Sequence, residues 1–444
     1  MSALPLIRHA RADAIVAYRD GRAIDAAHYL GDVAALAAVL PNSGHVLNFC
    51  ADRYRYAVGL GAALSRRQIT MLLPNQTPDL IEQIATLYPD LYCLSDGESR
   101  HGAIATVRFR DDMPHAPAQW AIPSFAADQI AAFAFTSGST GPPKPHVKTW
   151  GSLVAGTLAF GAKYQMPSLP NGVVLGTVAH QHIFGFESTI MLPLQHGLAT
   201  HTRRPFYPAD ICECLARLPR PRILVTTPIH LRALLADSEA LPRADLLLCA
   251  TAPLPAQLAV EAEIRFSAPL CEIYGCAEAG QTAMRRTAQT EVWTCLGGIN
   301  LFQDSRGTWA RGGSVETEVL LGDVIELLDS DRFILHGRTS DLINIAGKRT
   351  SLSHLNYQLN AIAGVRDGVF VMPDEDESSS VTRLMAFVVA PGMTNDDILS
   401  GLRERVDSAF LPRPLYLVDA LPRNSTGKLP LEAVKKLAAE LAER

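Results

Sequence analysis

Short apolar runs alternate with longer amphipathic segments through the first three quarters of the chain. The apolar runs have the length of buried strands and predict strands at residues 45–49, 68–73, 131–135, 173–178, 223–226 and 246–249. The longer segments predict helices at residues 32–39, 54–64, 78–87, 228–235 and 255–264. A hairpin with a turn at Asp20 and Gly21 comes before them. Strands that alternate with helices indicate βαβ units and a parallel sheet.

From about residue 333 the pattern changes to shorter elements. Residues 337–341 are polar and predict a turn-like break. Beyond it the sequence predicts helices at residues 355–363, 396–409 and 431–442 and strands at residues 368–372 and 384–389. We therefore predict an α/β protein with two domains. A large multi-layer α/β N-terminal domain, residues 1–336, is joined by a hinge to a small, mobile α+β C-terminal domain, residues 337–444.

Composition narrows the class of protein. The 444 residues are 48% hydrophobic and 19% charged, which is ordinary for a soluble globular protein and excludes intrinsic disorder. The net charge of -5 lacks the basic excess typical of nucleic-acid binders. Charges from Arg8 onward interrupt the first apolar run too early for a signal peptide, and no apolar stretch approaches the roughly 20 residues of a membrane helix. We expect a cytoplasmic protein whose eight cysteines are reduced, since none forms a CxxC pair.

The segment at residues 135–144 carries the strongest chemical signal. It follows a predicted strand and combines two glycines, four hydroxyl side chains and one lysine. Glycine lets backbone N–H groups approach phosphate oxygens, hydroxyls donate further hydrogen bonds, and lysine adds a point charge. A P-loop is excluded because Pro142 and Pro143 stand directly before the lysine, and a flexible surface turn is the remaining alternative. We predict a phosphate-binding loop that contains Thr136, Ser137, Gly138, Ser139, Thr140, Gly141 and Lys144.

This loop resembles the signature motif of the adenylate-forming superfamily, Thr-Ser-Gly-Ser/Thr-Thr-Gly-x-Pro-Lys. The superfamily includes acyl- and aryl-CoA synthetases, luciferases and the adenylation domains of nonribosomal peptide synthetases. The length of the chain is similar to that of stand-alone bacterial ligases that load acyl or aryl groups onto acyl carrier proteins. The resemblance implies that the loop binds the phosphates of ATP.

Other segments match the superfamily in the same order along the chain. Residues 180–186 resemble the motif that lines the acid pocket, and this implies a catalytic-site role for His182. Ala252 and Pro253 lie in a small-residue loop that resembles the one packed against adenine. Residues 274–278 resemble Tyr-Gly-x-Thr-Glu, which implies adenine contacts for Tyr274 and Gly275 and magnesium binding for Glu278, an oxygen ligand that Mg²⁺ prefers.

The remaining matches lie in the last third of the chain. Residues 321–324 resemble Thr-Gly-Asp, which implies that the Asp323 carboxylate accepts hydrogen bonds from the ribose hydroxyls, and Arg338 matches an arginine that also reaches the ribose. Residues 422–428 resemble the C-terminal motif that ends in Gly-Lys. The resemblance implies that Lys428 is the catalytic lysine, whose ammonium neutralises the acid carboxylate and the α-phosphate as they meet.

Three positions depart from the superfamily pattern. Ala277 stands where the family has a threonine, so a hydroxyl expected near the α-phosphate is missing. Ser340 occupies the hinge position, commonly Asp or Lys, and Asn344 replaces a frequent lysine in the loop whose glycine, Gly347 here, admits a pantetheine arm. These departures keep a second interpretation open, in which the chain is a degenerate nucleotide-binding or scaffolding member without ligase activity.

The resemblance implies a two-step ligase that uses ATP and Mg²⁺. A carboxylic acid forms an acyl-adenylate, and the thiol of CoA or of an acyl carrier protein then displaces AMP. His182, Phe184 and Phe186 favour a compact pocket for a small aryl or short unsaturated acid, and Glu187 leaves room for an amino or hydroxyl group. An acidic carrier protein could dock on a set of C-terminal arginines, unless these form only a solvated face: Arg403, Arg405, Arg413 and Arg423.

Overall fold

A computed structural model describes residues 2–98, 104–110, 120–136, 143–164, 166–237, 240–339, 342–345, 348–372, 384–423, 429 and 431–442. The helices of these ranges are α1 (Ala26–Val39), α2 (Arg53–Ser65), α3 (Pro78–Leu87), α4 (Trp150–Lys163), α5 (Ile183–Phe186), α6 (Leu192–His196), α7 (Pro208–Arg217), α8 (Pro228–Asp237), α9 (Ala256–Phe266), α10 (Leu352–Asn360), α11 (Asn395–Arg403) and α12 (Leu431–Ala442). A π-helical segment, Glu187–Met191, joins α5 to α6.

The strands up to residue 226 are β1 (Ala3–Pro5), β2 (Ile15–Arg19), β3 (Arg22–Asp25), β4 (His45–Asn48), β5 (Ile69–Leu72), β6 (Tyr92–Ser95), β7 (Thr106–Arg108), β8 (Ser124–Ala126), β9 (Ile130–Thr136), β10 (Lys144–Thr149), β11 (Val173–Gly176), β12 (Ala199–His201) and β13 (Arg222–Thr226). Those that follow are β14 (Leu246–Cys249), β15 (Leu270–Cys276), β16 (Gly280–Arg285), β17 (Trp293–Cys295), β18 (Asn300–Asp304), β19 (Gly307–Gly312), β20 (Val315–Leu320), β21 (Asp323–Leu327), β22 (Arg332–Arg338), β23 (Leu342–Ile345), β24 (Lys348–Ser351), β25 (Asp367–Val371), β26 (Met385–Val389) and β27 (Leu415–Leu417).

A six-stranded sheet carries the predicted phosphate loop. Its strand order is β10-β9-β5-β4-β6-β7, and every pair is parallel except the edge pair of β9 and β10. The central strands are buried, as expected for a parallel sheet covered on both faces. The loop connects the end of β9 to the start of β10, where Thr136 and Lys144 are paired. The sheet therefore fixes both ends of the loop.

An eleven-stranded sheet carries most of the other predicted site residues. Its order is β21-β22-β17-β16-β15-β14-β13-β11-β12-β2-β3, with a parallel centre from β2 to β15. The β13 and β14 runs are buried because helices α8 and α9 pack together over them in one apolar cluster. The carboxyl ends of β14 and β15 consequently open at one edge of the sheet, which is where parallel α/β sheets bind ligands.

The chain after residue 340 builds its own apolar clusters. One joins Leu355 and Leu359 of α10 to Phe370, Leu384 and Ile398. The clusters below residue 334 contain none of these residues. The division at residues 336 and 337 stays a prediction. The turn predicted at residues 337–341 is wrong for Gly337 and Arg338, because both continue β22 in antiparallel pairing with β21.

The predicted α/β class is correct, and several predicted elements agree closely with the structure, among them α3, β14 and α12. The helix predicted at residues 396–409 is wrong in its extent. A capping box of Thr394 and Asp397 starts α11 at Asn395, and the helix ends at Arg403. Asp407 then caps a separate 3₁₀ turn, Ser408–Phe410.

Two further expectations concern the whole sequence. Each of the eight cysteines is free, and five of them are buried, which agrees with the prediction of reduced thiols. Among the helices of the described ranges, none combines the length and the hydropathy needed to cross a bilayer.

Candidate active site

The loops after β14 and β15 form the centre of the candidate site. Cys249 of β14 pairs with Glu272 of β15, so the loop after β14 begins beside the last part of β15. Glu272 ties them together, since its carboxylate accepts a hydrogen bond from the backbone N–H of Leu254 at 3.1 Å. The predicted adenine loop, with Ala252 and Pro253, thus lies beside the strand that carries Tyr274.

Tyr274 and Asp323 form a short hydrogen bond. The Tyr274 hydroxyl donates to Asp323 Oδ2 at 2.6 Å, and Arg338 Nε lies 4.0 Å from the other carboxylate oxygen. The Tyr274 ring packs against the stacked pair of Trp293 and Phe333, with centroid distances of 5.7 and 5.5 Å. Burial raises the pKa of Tyr274 well above its usual value, and the neighbouring Asp323 raises it further. The phenol therefore stays a proton donor to the carboxylate.

The turn between β15 and β16 carries Glu278. Gly275 permits this turn, because a Cβ at this position would lie 2.3 Å from the carbonyl oxygen of Gly280. Gly280 itself has a φ of +75°, a backbone conformation that favours glycine. These two glycines fold the segment tightly back on itself, and Glu278 is left with 34% of its side chain exposed.

One face of β10 presents basic side chains to this turn. Lys148 Nζ donates to the backbone carbonyl of Glu278 at 2.7 Å, and His146 Nε2 lies 3.7 Å from the Glu278 carboxylate. The hydroxyl of Thr136, at the end of β9, lies 3.4 Å from the same His146 nitrogen. Burial lowers the pKa of Lys148 and of His146, and the attraction of Glu278 opposes both shifts. Residues from both sheets therefore meet at Glu278.

The segment after β11 brings His182 to the same region. His182 is the N-cap residue of α5, and its side chain is partly buried. Glu187, in the π-helical segment that follows, accepts a hydrogen bond from the backbone N–H of Gln281 at 3.1 Å. Desolvation by the surrounding protein raises the pKa of Glu187 to about 7, although Lys148 and the Gln281 N–H oppose the shift. The His182 segment is thus attached to β16, directly after the Glu278 turn.

A cleft of about 180 Å³ separates the predicted adenine loop from the C-terminal part of the chain. Thr251, Ala252 and Pro253 line one wall, and Tyr357 of α10 and Leu429 lie among the residues opposite. Three charged residues bridge the two walls. Asp367 accepts hydrogen bonds from Arg232 of α8 at 3.2 Å and from Arg423 at 2.7 and 2.9 Å.

The structure brings together part of the predicted set. Tyr274, Asp323 and Arg338 are neighbours, and Thr136 is linked to Glu278 through His146. Lys144 lies exposed at the start of β10. The other predicted loop, hinge and lysine positions lie outside the described residues, and these are Ser137, Gly138, Ser139, Thr140, Gly141, Ser340, Gly347 and Lys428.

Sequence reasoning missed four residues of this region: His146, Lys148, Arg232 and Asp367. A signal for the first two was present, because Lys144, His146 and Lys148 alternate at the spacing that puts side chains on one face of a strand. Arg423 was assigned to a carrier-docking or solvated face, whereas its side chain is 19% exposed and pairs with Asp367.

Comparisons with known proteins find a matching family, sequence relatives and solved structures with the same fold. The family model described as "AMP-binding enzyme" matches residues 35–303. The chain is 28% identical to the 4-coumarate–CoA ligase of Rhodobacter capsulatus over 298 residues, which are 66% of this chain and 73% of that protein. It is 25% identical to the 4-hydroxybenzoate–CoA/benzoate–CoA ligase of Rhodopseudomonas palustris over 428 residues, which cover 85% and 76% of the two chains. The ATP-bound structure of MatB from Rhodopseudomonas palustris shares the fold, with a TM-score of 0.82 at 17% identity over 98% of this chain and 97% of that one.

Proposed function

Because the chain belongs to the AMP-binding enzyme family, we propose that it is an acid–thiol ligase that activates a carboxylic acid with ATP. The acyl-adenylate then passes its acyl group to the thiol of CoA or of a carrier-bound phosphopantetheine. The observation that carries this proposal is the Tyr274–Asp323 hydrogen bond of 2.6 Å beside the turn that bears Glu278. It supports a site that holds a ribose at one end and phosphates at the other.

The first half-reaction joins the acid to AMP. A carboxylate oxygen attacks the α-phosphorus of ATP, the bond to the β-phosphate oxygen breaks, and pyrophosphate leaves. Asp323 would accept the ribose hydroxyls, and the loop from Thr136 to Lys144 would hold the phosphates. Lys428 would neutralise the negative charge that gathers where the two anions meet. Positioning and charge neutralisation carry most of the rate in such a transfer, because the protein has little covalent chemistry to do.

Glu278 is the residue that we propose to hold Mg²⁺. Nucleotide-bound Mg²⁺ uses one or two carboxylates together with substrate phosphates, and the carboxylate of Glu278 is 34% exposed on a turn that β10 faces with basic side chains. The carboxylate of Glu278, together with the phosphates of ATP, therefore fits Mg²⁺. When bound, Mg²⁺ would offset part of the phosphate charge, while Lys148 holds the backbone of the turn through its 2.7 Å hydrogen bond to the Glu278 carbonyl.

The second half-reaction transfers the acyl group. The thiol sulfur attacks the acyl carbon, the bond to the phosphate oxygen of AMP breaks, and the thiol proton leaves with the products. The relatives named above are CoA ligases, which supports CoA as the acceptor. A phosphopantetheinylated carrier presents the same thiol arm. Parallel assays with CoA and with a phosphopantetheinylated carrier protein distinguish these two acceptors.

We propose a small aryl acid as the substrate class. The names of the two sequence relatives refer to coumarate, hydroxybenzoate and benzoate. In this chain Phe184 and Phe186 follow His182 on α5, and Glu187 provides a partly buried carboxylate on the next turn. That carboxylate suits a hydroxyl or amino substituent on the ring, which would donate a hydrogen bond to it.

Acid-dependent exchange of pyrophosphate into ATP tests the first half-reaction directly. We expect exchange with at least one hydroxylated or amino-substituted benzoate or cinnamate, and none without acid. The second candidate, a nucleotide-binding scaffold, is favoured by Ala277, which lacks the hydroxyl of the family motif. ATP binding without exchange for any acid in a broad panel would establish the scaffold and reject the ligase.

A further inference from the structure

One carboxylate ties two distant parts of the chain together across the cleft. Asp367 stands at the start of β25, after the region matched by the family model. Its Oδ1 accepts hydrogen bonds from Arg232 Nη1 at 3.2 Å and from Arg423 Nη2 at 2.9 Å, and its Oδ2 accepts one from Arg423 Nε at 2.7 Å. Arg232 lies on α8, within that matched region. We call these three residues the Asp367 bridge.

The bridge is largely shielded from solvent. The side chains of Arg232, Asp367 and Arg423 are 24%, 16% and 19% exposed. Burial lowers the pKa of Arg232, and the nearby Arg423 lowers it further, while Asp367 acts in the opposite direction. Because removal of one partner leaves a desolvated charge uncompensated, a neutral residue at position 367 would allow the two guanidinium groups to repel each other and move apart.

The position of Arg423 gives the bridge a connection to the chemistry. Arg423 precedes Lys428, the proposed catalytic lysine, by five positions in the sequence. Its bidentate contact with Asp367 has the paired geometry in which a guanidinium is held in both position and orientation. Leu429, directly after Lys428, lines the same cleft as Ala252 and Pro253 of the proposed adenine loop. Arg423 and Leu429, on either side of Lys428 in the sequence, therefore both lie beside the proposed adenine loop.

We propose that Asp367 is a positioning residue, which holds Arg423 and the C-terminal part of the chain against α8, beside the proposed adenine loop, for the first half-reaction. This inference rests on the proposed function. The bridge would not act in the same way on the second half-reaction, where the acyl-adenylate is already formed and no attack of a carboxylate on the α-phosphate remains for Lys428 to assist. The two half-reactions should consequently respond differently when the bridge is broken.

Asp367→Asn tests the proposal in the full chain. We expect acid-dependent ATP–pyrophosphate exchange to fall by at least about tenfold, mainly in kcat, because misplacing a reacting group by about an ångström costs one to two orders of magnitude. Thioester formation from supplied acyl-adenylate should change by less than about twofold, and Asp367→Glu should recover part of the exchange. Equal losses in both half-reactions, or unchanged exchange, would overturn the proposal.

Asp245→Asn is the matched control. Asp245 also pairs with an arginine, Arg220, and its side chain is 16% exposed, as that of Asp367 is. It lies before β14, at the strand end opposite to the adenine loop. We expect exchange activity close to that of the parent. An equal loss of exchange in this control would show that the Asp367→Asn effect is a general consequence of breaking an ion pair.

Limited proteolysis does not depend on enzyme activity, so it distinguishes failure of the bridge from failure of the proposed function. Arg338, 73% exposed, lies at the junction of the two parts. If the bridge holds them together, trypsin should cleave the full-length Asp367→Asn chain near this junction about fivefold faster than the parent, and Asp245→Asn no faster. Unchanged cleavage would reject the bridge. If Asp367→Asn is cleaved faster but the parent shows no exchange activity with any acid, the bridge is supported and the ligase function is rejected.

Discussion

The Tyr274 hydroxyl donates a hydrogen bond of 2.6 Å to the Asp323 carboxylate. In Tyr274→Phe the ring keeps its contacts with Trp293 and Phe333, but Asp323 loses the donor that fixes it. A hydrogen bond of this kind contributes about 1 to 2 kcal/mol. We expect the KM for ATP to rise by about fivefold or more in steady-state assays, with a smaller change in kcat.

Tyr29→Phe provides the control for this prediction. Tyr29 is also fully buried, and its hydroxyl donates to the backbone carbonyl of Ala57 at 3.0 Å, in a different apolar cluster. We expect a similar loss in the free energy of unfolding, about 1 kcal/mol, without a change in the KM for ATP. If the two variants had the same KM for ATP, the proposed role of Asp323 in ribose binding would lose its support.

Glu187 makes the stability of the protein depend on pH. Its pKa rises from an ordinary 4.5 to about 7 because the surrounding protein desolvates the carboxylate. Between these two values the folded chain binds more protons at Glu187 than the unfolded chain does. The stabilisation is therefore fully present below about pH 4.5 and is lost as the pH rises through about 7. Lys148 is the charged group that opposes this shift most strongly.

Glu187→Gln tests this dependence, because glutamine does not titrate. We expect the parent to lose about 2 kcal/mol of stability relative to the variant between about pH 5 and about pH 8, less than the full linkage value since Glu187 retains some solvent contact. Urea unfolding of both proteins at the two pH values measures the difference. Parallel pH profiles would mean that Glu187 titrates near its ordinary pKa in the folded protein.

Elements that consist of one uninterrupted apolar run were predictable from the sequence, whereas strands at the edge of a sheet were not. The run Leu246–Cys249 is entirely apolar and entirely buried, so its strand was predicted with the observed bounds. Strand β10 follows Pro143 and has Pro145 as its second residue, and these prolines indicate a loop. It forms a strand nevertheless, because it pairs only with β9 at the edge of the sheet, where a missing N–H is tolerated.

The candidate site was predictable where one short motif carries it. Tyr274 and Gly275 lie near the end of β15 and Glu278 lies in the turn that follows, and the resemblance of this segment to the superfamily motif implies its chemistry. The Asp367 bridge is different, since 135 residues separate Arg232 from Asp367 and 56 separate Asp367 from Arg423. Each of these residues taken alone resembles an ordinary surface charge. Only the tertiary fold brings them within hydrogen-bond distance.

Lys148 joins the edge strand β10 to the turn between β15 and β16. Lys148→Met would leave the Glu278 carbonyl without this donor and remove the positive charge near Glu187. We expect the free energy of unfolding to fall by about 2 kcal/mol and the exchange rate to fall with it, because Glu278 loses its fixed backbone. Urea unfolding and ATP–pyrophosphate exchange measure the two effects.

Lys163→Met is the control for this change, because Lys163 is exposed in the last turn of α4. Its substitution should alter the free energy of unfolding by less than about 0.5 kcal/mol. A Lys148→Met protein as stable and as active as the Lys163→Met protein would show that β10 contributes no support to the Glu278 turn.

Separate apolar clusters lie on either side of residues 336 and 337, and we predict that the molecule consists of two cooperative parts with the proposed active site between them. Leu247 lies in a cluster built from residues 173–270, and Leu359 lies in one built from residues 343–415. Both side chains are fully buried. The side chains of Asp367 and Arg232 form a hydrogen bond across the cleft. Polar contacts therefore connect the two predicted parts, in addition to the chain itself, which passes from one part to the other at the end of β22. Such an arrangement favours separate unfolding transitions.

Calorimetry of two core variants tests this division of the chain. Leu359→Ala creates a cavity in the C-terminal cluster and should cost about 3 kcal/mol, which lowers the melting temperature of a unit of about 100 residues by roughly 10 °C or more. Leu247→Ala should lower only the other transition, and by fewer degrees, because the larger unit has a larger entropy of unfolding. Two transitions that each respond to one variant would support the predicted boundary at residues 336 and 337. A single transition that both variants lower together would contradict it, because the two clusters would then unfold as one cooperative core.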